Sequence, residues 1–111
     1  MPVRDWKIRI TDILQAIEEI LGLTEGMTAA RFSQDNRTVK AVLYNFAVIG
    51  EAARHVPLEV REAWPALPWR EMSDMRNVVI HEYFGVDPEI LWETIRQELS
   101  PLIPQLQEML K

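Results

Sequence analysis

Apolar side chains recur along this chain every three or four residues, and there is no sustained alternation of the β type. Trp6, Ile10, Ile13, Leu14, Ile17 and Leu21 keep the i, i+3, i+4, i+7 spacing of one buried helix face. Val39, Val42, Leu43, Phe46, Ile49, Gly50 and Ala53 repeat it, and so do Leu91, Ile95, Leu99, Leu102, Leu106 and Met109. A strand would throw half of each set to the opposite side of a sheet, so the period predicts an all-α fold.

Caps and breakers divide these stripes. Gly22 predicts the end of the first helix, Thr28 caps a short helix over Ala29 to Phe32, and Asp35 is an N-cap for a long one. Pro57 suits the start of a brief helix ending near Trp64, and Pro68 the start of another that stops at Gly85. Asp87 and Pro88 open the last helix, which Pro101 and Pro104 should kink or split near Ser100. The expected fold is a four- to five-helix bundle, its neighbours mostly antiparallel because the loops are short. Gly50 inside a helix costs about 1 kcal/mol against Ala, which predicts a close approach of another helix there.

At 111 residues the chain is one domain, residues 1–111, and its 48% apolar content argues against disorder. No apolar run approaches the roughly 18 residues that a membrane span needs. The start, MPVRDWKIRI, lacks the apolar segment of a secretory signal, so a cytoplasmic protein is expected. The absence of cysteine removes disulfides, thiolate catalysis and zinc–thiolate sites. With His55 and His81 the only histidines, no metal site and no cofactor are expected. The net charge of −5 speaks against a non-specific nucleic-acid coat. The charge is uneven: Met27 to Arg61 carries five cations against three acids, whereas Glu82 to Lys111 carries six acids against two cations. A polyanion would be steered toward the middle of the chain.

One stretch concentrates chemistry. RNVVIHEY, from Arg76 to Tyr83, places a guanidinium, an imidazole and a phenol within eight residues. Arg76 and Tyr83 share a helix face, while His81 lies about 140° around from Arg76. A two-fold dimer centred on this helix would bring Arg76 and His81 of both chains to one cleft. The plain structural reading is that His81 caps carbonyls at a helix end and Arg76 pairs with Glu51 or Asp74. The functional reading is that arginine, always charged, holds a phosphate while histidine moves protons. Those two groups suffice to turn the 2′-hydroxyl of RNA on its own phosphodiester. Glu51 would orient His81 or hold Arg76. It belongs to a second stripe with Tyr44, Val48 and His55, for which packing on a neighbouring helix is the simpler expectation. The four tryptophans are expected to build core and dimer interface rather than stack bases.

Arg76-x4-His81-x-Tyr83 resembles the signature of HepT-like toxins of the HEPN superfamily. FAVIGEAARHV (Phe46–Val56) and LPWREMSDMRNVVIHEYFGVD (Leu67–Asp87) are similar to that family's flanking segments, and the resemblance runs roughly from Trp6 to Leu106. It implies an all-α HEPN bundle forming a two-fold homodimer. It implies metal-independent endoribonuclease activity, with Arg76 and His81 catalytic and Asn77, the polar residue after the arginine, in support. The implied partners are an RNA substrate and a nucleotidyltransferase antitoxin of the MntA type, in a possible hetero-oligomer with it. That antitoxin would attach AMP to Tyr83, adding bulk and negative charge beside a phosphate site. A rival reading keeps the helical dimer but makes it a non-catalytic subunit that docks a nucleotidyltransferase or binds nucleotide, with Arg76 a phosphate clamp.

Overall fold

The computed structural model describes residues 5–81 and 87–111, with the backbone alone for 78–81. Seven helices follow one another: α1 (Trp6–Thr24), α2 (Ala29–Gln34), α3 (Asn36–Arg54), α4 (Leu58–Ala63), α5 (Trp69–His81), α6 (Pro88–Thr94) and α7 (Leu102–Met109). A π-helical turn, Ile95–Leu99, joins the last two. No strand occurs among the described residues. The short α2 and α4 and the split of the last helix raise the count above the four or five expected. No helix among the described residues is long and apolar enough to cross a membrane.

Local chemistry sets most boundaries. Asp35 caps α3 by accepting from the Thr38 backbone N–H at 3.1 Å and the Thr38 hydroxyl at 2.9 Å. The first of these bonds is the main reason its carboxyl is held below the ordinary value of 3.8. Because the folded-state value is lowered, this contribution to stability is present above the unfolded-state value and fades as pH falls through the folded one. Thr28 caps α2 through the Arg31 N–H at 3.1 Å, and Asp87 caps α6 through the Glu89 N–H at 2.9 Å. Gly22, expected to end α1, does not. The helix runs on to Thr24, whose buried hydroxyl donates to the Ile20 carbonyl at 2.8 Å. The chain turns at Gly26 instead, the residue with φ of 76°. Near the C-terminus the break falls at Ser100 and Pro101, as the prolines require. The Pro101 ring crowds the carbonyl four residues back, and the ladder before it widens into the π turn.

α3 is the central helix, with α1 along one side and α5 along another in the two most extensive helix contacts among the described residues. Ile10, Ile13 and Ile17 of α1 meet Val42, Phe46 and Ile49 of α3 in one core that also takes Phe32, Met72, Leu91, Ile95, Leu99 and Leu106. Burying each such side chain is worth about 1.5–3 kcal/mol. Two of the tryptophans are fixed by specific partners. Trp69 is buried and donates its Nε1–H to the Trp64 carbonyl at 3.0 Å, which closes the proline-paced turn before α5. Trp92 lies with its ring centroid 5.4 Å from that of Phe32.

The approach of α5 to α3 is closest at Gly50. A Cβ built there would stand 2.5 Å from the Arg76 backbone nitrogen, 2.6 Å from the Arg76 Cβ and 3.0 Å from its Cα. Backbone cannot swing aside as a flexible side chain can, so glycine is required by space and not by φ. Gly50→Ala should therefore destabilise the protein by about 1–3 kcal/mol despite the better helix propensity of alanine. Urea denaturation checks this: an unchanged or raised midpoint would mean that α5 does not sit this close.

Candidate active site

The contact at Gly50 places Arg76 beside the next residue of α3. Glu51 Oε2 accepts from Arg76 Nε at 2.9 Å. The other carboxylate oxygen, Oε1, lies 3.5 Å from His55 Nδ1. That same ring nitrogen is 2.8 Å from the Glu51 carbonyl oxygen, so Nδ1 carries the hydrogen and donates. Glu51 thus stands between a guanidinium from α5 and an imidazole at the end of its own helix. Both partners of the ion pair are partly exposed, Arg76 at 36% and Glu51 at 46%, so water screens the attraction. Its effect is on geometry: a guanidinium gripped at Nε still presents its two terminal nitrogens as a fork suited to phosphate.

Of the two acids named as partners for Arg76, the structure chooses Glu51. Asp74 turns the other way and accepts from the Asn77 side-chain amide at 3.5 Å, on exposed surface. α5 remains helical through His81, so the backbone positions of Arg76 and His81 in one chain lie about 140° apart around its axis. The readings that concern the His81 side chain and Tyr83 lie outside the described residues.

A groove of about 350 Å³ opens beside Arg76. It is lined by Arg9 and Asp12 of α1, by Tyr44, Ala47, Val48, Glu51 and Ala52 of α3, and by Arg76 itself. The Tyr44, Val48, Glu51 and His55 stripe packs only in its middle: Val48 lies against the core and Glu51 meets Arg76 of α5, whereas its two ends are open. Tyr44 is 68% exposed, and His55 is also open to solvent. Tyr44 is therefore part of the site region, although its sequence signal was only that of an aromatic off the core stripe of α3. Arg9 carried no signal at all, because the approach of α1 to α3 alone brings it here.

Fold and site together define the class: an all-helical bundle with a charged groove on its central helix and an arginine anchored from that helix. The chain belongs to the HepT-like family of the HEPN superfamily, whose model, described as Ribonuclease HepT-like, matches residues 13–109. A provisionally named RNase of Methanocaldococcus jannaschii is 34% identical over 111 residues, covering 100% of this chain and 92% of that one. A provisionally named ribonuclease HepT of Thermococcus cleftensis is 36% identical over 108 residues, 97% of this chain and 98% of its own. A provisionally named RNase of Caldanaerobacter subterraneus is 38% identical over 99 residues, 89% and 88% of the two chains. No solved structure matches.

Because the ion pair is screened, Glu51→Ala should cost less than about 1 kcal/mol in urea denaturation. A loss above about 2 kcal/mol would show that the pair is part of the packed core rather than a positioning contact.

Proposed function

We propose that this protein is an endoribonuclease of toxin type, acting as a two-fold dimer and needing no metal for its chemistry. The observation that carries this reading is the anchored Arg76: its guanidinium is fixed at Nε by Glu51, at the lip of a groove on a helix that also ends in His81. Family membership and the ribonuclease names of the relatives support it.

The reaction follows from the groups. The ribose 2′-oxygen attacks the adjacent phosphorus as the bond from phosphorus to the 5′-oxygen breaks. The products are a 2′,3′-cyclic phosphate and a 5′-hydroxyl end. Charge builds on the phosphate oxygens in between, and the terminal nitrogens of Arg76 stabilise it. His81 takes the 2′-hydroxyl proton or supplies one to the leaving oxygen. The positions of Arg76 and His81 lie about 140° apart on one helix, and a second copy would complete the pair, which is why the dimer belongs to this reading. The nucleophile is the substrate's own hydroxyl, so no activated water is called for. Asn77, one residue past Arg76 and exposed, would support Arg76 in this reading.

RNA incubated with the protein in EDTA should be cleaved, and His81→Ala should lose about 10²-fold or more of the rate. Cleavage by neither protein would favour the alternative, a non-catalytic subunit that binds a nucleotidyltransferase or nucleotide.

Control by a nucleotidyltransferase antitoxin of the MntA type completes the proposal. AMP on Tyr83, seven residues along the chain from Arg76, would add a phosphate and a nucleoside that fill the cleft and compete for the guanidinium. Co-expression with such a transferase should add one or more AMP masses, mapped to Tyr83 by peptide mass spectrometry, and abolish cleavage. Modification at another residue would refute this form of control.

A further inference from the structure

We propose that the groove between α1 and α3 is a subsite for one nucleotide of single-stranded RNA, with the Tyr44 ring stacking on its base and Arg9 meeting the adjoining phosphate. The inference rests on the ribonuclease reading and adds to it the way the strand is held beside the cut.

Tyr44 is the first reason. At 68% exposure it is the most open of the large apolar side chains among the described residues, and it stands at the rim of the groove that Arg76 lines. Nothing in the core uses this ring. A flat aromatic surface left in water beside a phosphate-binding group is what base stacking employs, and stacking accepts any base.

Spacing is the second. Tyr44 precedes Glu51, the anchor of Arg76, by two helical turns, about 10 Å along α3. A base whose phosphate chain passes Arg76 arrives at that distance, and the groove's 350 Å³ accommodates one nucleotide rather than a duplex. Arg9 lines the same groove, so a strand that stacks a base on Tyr44 has two guanidiniums within the groove to meet its phosphates.

Charge is the third. Arg9 and Arg76 are balanced in the groove by Asp12 and Glu51, so it cannot act as a general polyanion track. Beyond Tyr44 a smaller groove of about 180 Å³ is lined by the carboxylates of Asp12 and Glu19 and by no Lys or Arg. The Glu19 carboxylate and the lack of any cation there leave the Arg9 and Arg76 end as the better place for phosphates. Affinity must then come from stacking plus a few local phosphate contacts, which makes Tyr44 the residue on which binding depends most.

The test uses a short fluorescein-labelled single-stranded RNA with 2′-O-methyl riboses, which binds but offers no nucleophile for cleavage. Anisotropy should show Kd rising roughly tenfold for Tyr44→Ala and changing less than about twofold for Tyr44→Phe, which keeps the ring. Arg9→Gln should weaken binding and flatten its dependence on salt. Light scattering should give all variants the mass of the parent, and circular dichroism should show them folded, since the ring is exposed. Parental affinity in Tyr44→Ala overturns the subsite. So does a change of assembly mass in that variant, which would make this face a contact between copies of the chain. Cleavage of unmodified RNA, run in parallel, separates the two claims. Tyr44-dependent binding without any cleavage keeps the subsite and removes the ribonuclease reading. Equal binding and equal cleavage by parent and Tyr44→Ala do the reverse.

Discussion

The close contact of α3 and α5 at Gly50 is the constraint on which the site depends. One missing methyl group lets the backbone of Arg76 lie against the central helix. The neighbouring residue, Glu51, then reaches the guanidinium with a 2.9 Å bond and no extended rotamer search. A bulkier residue would push α5 outward, and an arginine set farther away would keep its charge but lose its fixed direction. The helix penalty of glycine is thus accepted where α5 packs closest on α3, beside the candidate site.

Electrostatics around this contact favour placement over strength. The chain is acidic, with a net charge of −5, and its groove is close to neutral. A screened ion pair adds little to stability, and a neutral groove adds little to long-range attraction. What these charges supply is orientation: Glu51 divides its two oxygens between Arg76 and His55, and each contact limits where the other can go.

Much of the architecture was legible in the chain. The stripes of α1, α3 and the C-terminal helices, the caps at Thr28, Asp35 and Asp87, and the break at Pro101 all follow from local chemistry. Gly22 misled because glycine is tolerated in a helix when the next turn has a reason to continue. Here the reason is buried Thr24, bonded back to Ile20, a pull that depends on what covers it. Partner choice was equally hidden: Glu51 and Asp74 are both within plausible reach of Arg76 in sequence terms, and only the approach at Gly50 selects Glu51.

By itself the sequence determined the helical period, the capping points, the absence of thiol chemistry, and the family through its Arg76, His81 and Tyr83 spacing. These are properties of one to two helical turns, or of residue identity, and need no knowledge of neighbours. Tertiary structure alone decided that Tyr44 faces solvent, that Arg9 shares a groove with Arg76, and that Glu51 is the partner of Arg76. Those relations join residues from separate helices. Their distances are set by how side-chain volumes fill the space between α1, α3 and α5, and no spacing along a single helix encodes that.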